Sequence, residues 1–166
     1  MRGRGRPQSL PEWITPTGID PAKLPLEPIL RQALELDEER FHSACTLLET
    51  IVSHGRREAG VFLLGLLSYY RDDLQRLSRV VRAVAAFQGR EAVDALTNEL
   101  RRIKSSNATR SYLDGVLKAL TLLPRELVQE RLAELSADKG FSVKWRRKFD
   151  DAAWSLPGRE AFLEDE

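Results

Sequence analysis

The chain has little of what usually marks a chemistry on sight. Its 166 residues include one cysteine and two histidines. That excludes an internal disulfide and a cysteine-cluster zinc site. The longest apolar run, Val61–Leu67, is seven residues, against the roughly 20 a bilayer-spanning helix needs. The start, MRGRGRPQSLPEWITP, is basic but lacks the apolar stretch of a secretory signal. Charge of either sign is not in excess: the formal net charge is +1, which argues against a generic polyanion binder. Lysine is scarce, 6 against 20 arginines, so short arginine-rich motifs carry less information than usual. A Walker loop, Gly-x-Gly-x-x-Gly, His-Glu-x-x-His and Gly-x-Ser-x-Gly are all missing, which removes the common signatures of nucleotide, zinc-protease and serine-hydrolase chemistry. The expectation is a soluble, cytoplasmic, non-enzymatic protein with no cofactor and no bound metal.

Proline is also rare after the first stretch. Six of eight prolines lie in residues 1–28, and only Pro124 and Pro157 follow. Proline removes a backbone donor and blocks helix propagation. Residues 1–25 therefore read as a Pro/Arg-rich extended arm, residues 26–158 as a helical domain, and residues 159–166 as an acidic tail.

The helical domain repeats. Phe41, Ala44, Cys45, Leu48 and Ile51 share one helix face. Adding 36 gives Leu77, Val80, Val81, Val84 and Phe87, and adding 36 again gives Leu113, Val116, Leu117, Leu120 and Leu123. All are apolar. A weaker fourth copy is Trp145, Phe149, Ala152, Ala153 and Leu156. Arg-Glu recurs at 57–58, 90–91, 125–126 and 159–160, each time after Gly or Pro punctuation. Glycine past a helix end and an acidic residue in the next first turn are stop and start chemistry. The spacing predicts helices over 26–36, 38–53, 57–71, 73–88, 90–104, 108–123, 125–137 and 142–155. One helix pair cannot bury its own apolar face, so about four pairs should stack. The fold class expected is all-α: a short right-handed α-solenoid of antiparallel helix pairs.

The handover AVAAFQGREAVDAL (83–96) resembles HEAT repeats, with poorer matches at 47–63, 117–132 and 151–163. The resemblance spans roughly residues 41–160. The Asp-x-x-Val-Arg opening of the second helix is largely missing, so the likeness is to the HEAT/armadillo type broadly. It implies a scaffold or adaptor that presents a concave face, built from the second helix of each pair, to a protein partner. It brings no catalytic motif.

Individual residues add three basic clusters. Arg76, Arg79 and Arg82 follow one another at i, i+3, i+6, and Lys118 and Arg147 hold related positions in later repeats. These five are the residues expected to bind a partner. Arg4-Gly5-Arg6-Pro7, preceded by Arg2, matches the core of an AT-hook, whose extended Arg-Gly-Arg enters a narrow minor groove. Lys144, Arg146 and Lys148, interleaved with Trp145, could contact phosphates or form a solvated face. A nucleic-acid-binding protein is thus the alternative reading. His42, Cys45 and Glu49 lie on one helix, but the repeat register puts Cys45 in the core. The acidic runs Asp37–Glu39 and Asp72–Asp73 fall at helix starts, where carboxylates cap and complement the dipole.

Overall fold

The computed structural model describes residues 10–157. Among them the chain is all-helical apart from one small hairpin. Strands β1 (Ile14–Thr15) and β2 (Gly18–Ile19) pair antiparallel, and a 3-10 turn (Pro21–Lys23) follows. Gly18 closes the hairpin at φ 134°, a backbone conformation that side-chain-bearing residues rarely adopt. Eight helices come next: α1 (Leu26–Ala33), α2 (Glu38–Ser53), α3 (Arg57–Tyr69), α4 (Leu74–Val84), α5 (Arg90–Arg102), α6 (Arg110–Thr121), α7 (Arg125–Ala137) and α8 (Val143–Trp154). No described helix is long and apolar enough to cross a membrane.

The helix starts follow from side-chain chemistry. Asp37 accepts from the Arg40 amide at 2.9 Å, Asp73 from the Arg76 amide at 3.1 Å, and Ser142 from the Trp145 amide at 3.3 Å. Each satisfies a donor that the first turn leaves without a helical partner. Glu58, Glu91 and Glu126 sit in the first turns of α3, α5 and α7, where a negative charge meets the positive end of the dipole. Gly55, at φ 91°, ends the α2–α3 corner.

Helix ends are shorter than the periodicity suggests. The apolar pattern predicts α4 through residue 88, yet it closes at Val84. Ala86 and Phe87 instead donate to Ala83 and Val84, i to i−3. This tighter turn carries Phe87 back onto Gly60 of α3, where a Cβ would come within 2.6–2.8 Å of the ring. Periodicity reports burial, and Phe87 is buried without being helical.

Helices that follow one another in the chain pack together: α1 with α2, α2 with α3, α3 with α4, α5 with α6 and α7 with α8. The even helices also pack in succession, α2 on α4, α4 on α6 and α6 on α8, while α5 packs on α7. The core lies between these layers. Fourteen of the fifteen repeat positions read from the sequence are buried, and Leu117 is partly buried. Polar links cross from one pair to the next at about one repeat length. Arg57 meets Glu91 at 2.6 Å, Arg131 meets Asp94 at 3.1 Å, Arg79 meets Glu49 at 3.1 Å, and Lys148 meets Asp114.

Candidate functional site

The register of the even helices defines one outward face. On α6 the positions Ser111, Gly115, Lys118 and Leu122 follow at i, i+4, i+7, i+11, a single helical stripe. All four are exposed. Shifted by 32 residues, the same stripe on α8 is Val143, Arg147, Asp150 and Trp154, again all exposed. Shifted back by 36, it is Gln75, Arg79, Arg82 and Ala86 on and just beyond α4, of which Arg79 and Ala86 are partly buried. On α2 it is Glu39, Ser43, Thr46 and Thr50.

Two contacts fix how these stripes lie. Gln88 Nε2 donates to the Leu122 carbonyl at 3.4 Å, bringing the C-terminal ends of α4 and α6 together. Lys148 donates to Asp114, tying the first halves of α6 and α8. Arg76 at the start of α4 reaches Glu38 at the start of α2, and Trp145 at the start of α8 donates to Ser105 just before α6, so the even helices run in the same direction with their C-terminal ends along one edge. The register positions at that end become more apolar from Thr50 and Ala86 to Leu122 and Trp154. Leu122 is 60% and Trp154 83% exposed. Beside the edge run Arg82, Lys118 and Asp150, and behind these Arg79, Gly115 and Arg147. A Cβ at Gly115 would meet nothing within 4 Å, so the middle of the face is open down to the α6 backbone.

The residues expected to bind a partner divide. Arg82, Lys118 and Arg147 are exposed and have no ion-pair partner among the described residues. Arg79 belongs to the same stripe but is tied down: its side chain is 11% exposed and one Nη donates to Thr46 Oγ1 and Glu49. Arg76 does not belong to the face, and here the expectation is corrected. It is 5% exposed. Its Nη1 donates to the Glu35 carbonyl and Tyr70 hydroxyl, its Nη2 to the Leu36 carbonyl and Glu38, and its Nε to Glu38. The guanidinium lies 4.6 Å from the Phe41 ring centre. Burial works against its charge, and the hydrogen bonds to Glu38 and Tyr70 outweigh it, so its pKa is raised. The physical reason is angular: six residues along a helix leave two side chains about 120° apart, so Arg76 and Arg82 cannot share a face.

The second basic cluster divides too. Lys144 is exposed, Arg146 is partly buried, and Lys148 is held by Asp114 over the Trp145 ring. Arg2, Arg4 and Arg6 lie outside the described residues.

Cys45 is fully buried, and burial pushes its thiol up to about 11. It is therefore a protonated core side chain rather than a nucleophile. Sequence reasoning missed the buried polar residues Thr97 and Glu99. Glu99 accepts from Tyr112 at 2.7 Å and from Arg102 at 2.9 and 2.7 Å. Burial and the Glu99 hydrogen bond raise the Tyr112 pKa. This cluster joins α5 to α6, a structural role. A hollow of about 440 Å³ lies open between Val52, Ser53, Gly55, Arg57, Ala86, Phe87 and Gln88. Its one charged group, Arg57, is already paired with Glu91 and stacked on Phe87.

No protein-family model, no curated protein and no solved structure matches this chain.

Proposed function

We propose that the chain is a non-enzymatic protein-binding scaffold or adaptor of the cytoplasm. In this reading its four helix pairs form a short right-handed HEAT-like solenoid, and the outward face of α2, α4, α6 and α8 is the concave binding surface. The observation that supports it best is the run of exposed cations, unpaired among the described residues, on three successively packed helices: Arg82, Lys118 and Arg147. Exposed charges left without partners at register positions are available for a partner's carboxylates, and complementary charge steers association.

The alternative is nucleic-acid binding, in which the same cations and Lys144 meet phosphates while Arg4-Gly5-Arg6-Pro7 enters a groove. Capture from native extract with crosslinking, split into nuclease-treated and untreated halves, separates the two. Under the adaptor reading a stoichiometric protein survives nuclease and is lost with Arg82→Glu plus Lys118→Glu. A captured species that disappears with nuclease, and whose retention falls steeply with salt, decides for nucleic acid.

A further inference from the structure

We infer that the occupant of this face is an acidic amphipathic peptide segment of another protein, with apolar side chains on the Leu122–Trp154 edge and carboxylates on Arg82, Lys118 and Arg147. This rests on the binding-module reading and specifies its ligand. Three observations converge on it. The edge is apolar and strongly exposed at Leu122 and Trp154. The neighbouring cations have no ion-pair partner among the described residues. A Cβ at Gly115 would meet nothing within 4 Å, so a ligand backbone can approach α6 beside the exposed Lys118. Trp and Arg are the residue types that most often dominate binding energy at interfaces. An apolar row and a cationic row side by side complement a segment whose own apolar and acidic residues occupy adjacent stripes, as on an amphipathic helix laid in a groove. A nucleic acid would use the cations but leave Leu122 without a counterpart. Asp150 stands where α4 and α6 carry cations, which confines the acidic contacts to the α4–α6 half of the front row and to Arg147 behind it.

The test is selection of a random-peptide display library on the full chain, followed by fluorescence anisotropy of the enriched peptide labelled with fluorescein. Enriched sequences are expected to combine Asp or Glu with Leu, Phe or Trp. Arg82→Glu with Lys118→Glu should weaken the peptide at least about tenfold, and Trp154→Ala about tenfold. Val61→Ser with Tyr69→Ser, on the exposed side of α3, should leave it unchanged. All substituted side chains are exposed, and matching thermal melts confirm that each variant folds. Enriched peptides without carboxylates overturn the inference, as does affinity indifferent to the α4, α6 and α8 variants. Loss with the α3 variant instead overturns it while keeping a peptide-binding module on another face. Self-association that Trp154→Ala abolishes overturns it in favour of a second copy of the chain. A library that yields no binder, with a DNA oligonucleotide retained by the same face, overturns both readings.

Discussion

Arg76 and Glu38, 38 residues apart, are joined through a single carboxylate oxygen: Glu38 Oε1 accepts from Arg76 Nε at 3.0 Å and from Nη2 at 2.8 Å. The same guanidinium holds the carbonyls of Glu35 and Leu36 just past α1 and the hydroxyl of Tyr70, which itself donates to the Ala33 carbonyl at 2.6 Å. One side chain thus satisfies the C-terminal end of α1, the N-terminal turn of α2 and the end of α3. Glu38 is half exposed, so water can take over its charge if Arg76 is lost. The carbonyls and Tyr70 are worse placed, and each buried group left unpaired costs about 1–3 kcal/mol. Arg76→Ala should destabilise the chain by about 3 kcal/mol, lowering Tm by roughly 6–12 °C. Arg76→Lys should recover little, since an ammonium cannot reproduce the planar fork. Urea melts of the two variants check this. An Arg76→Ala protein as stable as wild type would remove the clamp.

Gly60 and Gly65 lie on the same helix and predict opposite outcomes. At Gly60 a Cβ would lie 2.6–2.8 Å from three Phe87 ring atoms, while at Gly65 it would meet nothing within 4 Å. Alanine gains up to about 1 kcal/mol over glycine in a helix interior. Overpacking costs about 1–3 kcal/mol. Gly65→Ala should therefore stabilise by about 0.5–1 kcal/mol and Gly60→Ala should destabilise by up to about 2 kcal/mol. Denaturant midpoints of the pair measure both signs at once.

Cys45 gives a pH signature. Its pKa is raised from 9.0 to about 11 by burial, so the folded state holds the proton more tightly than the unfolded chain does. Below about pH 8.5 both states are protonated and this group adds no pH dependence. As pH rises from about 9 to 11 the unfolded state releases the proton first, and stability falls at up to about 1.4 kcal/mol per pH unit. Tyr70 and Tyr112, also raised, act with the same sign at higher pH. Cys45→Ser does not titrate in this range, so its stability should decline less steeply between pH 9 and 11. A thiol reagent at pH 8 should modify the native protein only at the rate of unfolding and react at once in denaturant. Rapid labelling of the folded chain would contradict the buried position.

Much of the fold was legible because two independent codes agree. The apolar stripe Phe41–Ile51 and its copies 36 and 72 residues on mark helix faces, and the Arg-Glu dipeptides after Gly or Pro mark where helices turn. All eight helices occur within a few residues of where these codes place them. The candidate face was less legible. Linear spacing grouped Arg76 with Arg79 and Arg82, whereas the stripe of the candidate face runs i, i+4, i+7, i+11 through Gln75, Arg79, Arg82 and Ala86. Trp154 escaped notice because the fourth repeat is shortened to a shift of 32, which moves it into the column of Leu122. The same shift predicts it on inspection. The Glu99–Arg102–Tyr112 cluster left no periodic trace, since a charged side chain on a helix reads as solvent-facing until its buried partners are known.

Arg79 carries the final prediction because its burial is only half compensated. One Nη reaches Thr46 Oγ1 at 2.9 Å and Glu49 at 3.1 Å, but Nη1 is shielded from water with no hydrogen-bond partner among the described residues. A guanidinium removed from water gains stability only when its hydrogen bonds are made, and replacing such a group by an apolar one of similar size is often neutral. Glu49 is 37% exposed at its side chain, so it keeps water when Arg79 is gone. Arg79→Met should therefore change stability by less than about 1 kcal/mol, in contrast to Arg76→Ala. Because Nη1 is out of reach of solvent and of any ligand on the even-helix face, Arg79→Met should also leave the affinity for the selected peptide unchanged. Measuring both on one preparation separates the two arginines: a large loss of stability would make Arg79 a second clamp, and an unchanged melt with weakened peptide would make it a binding residue.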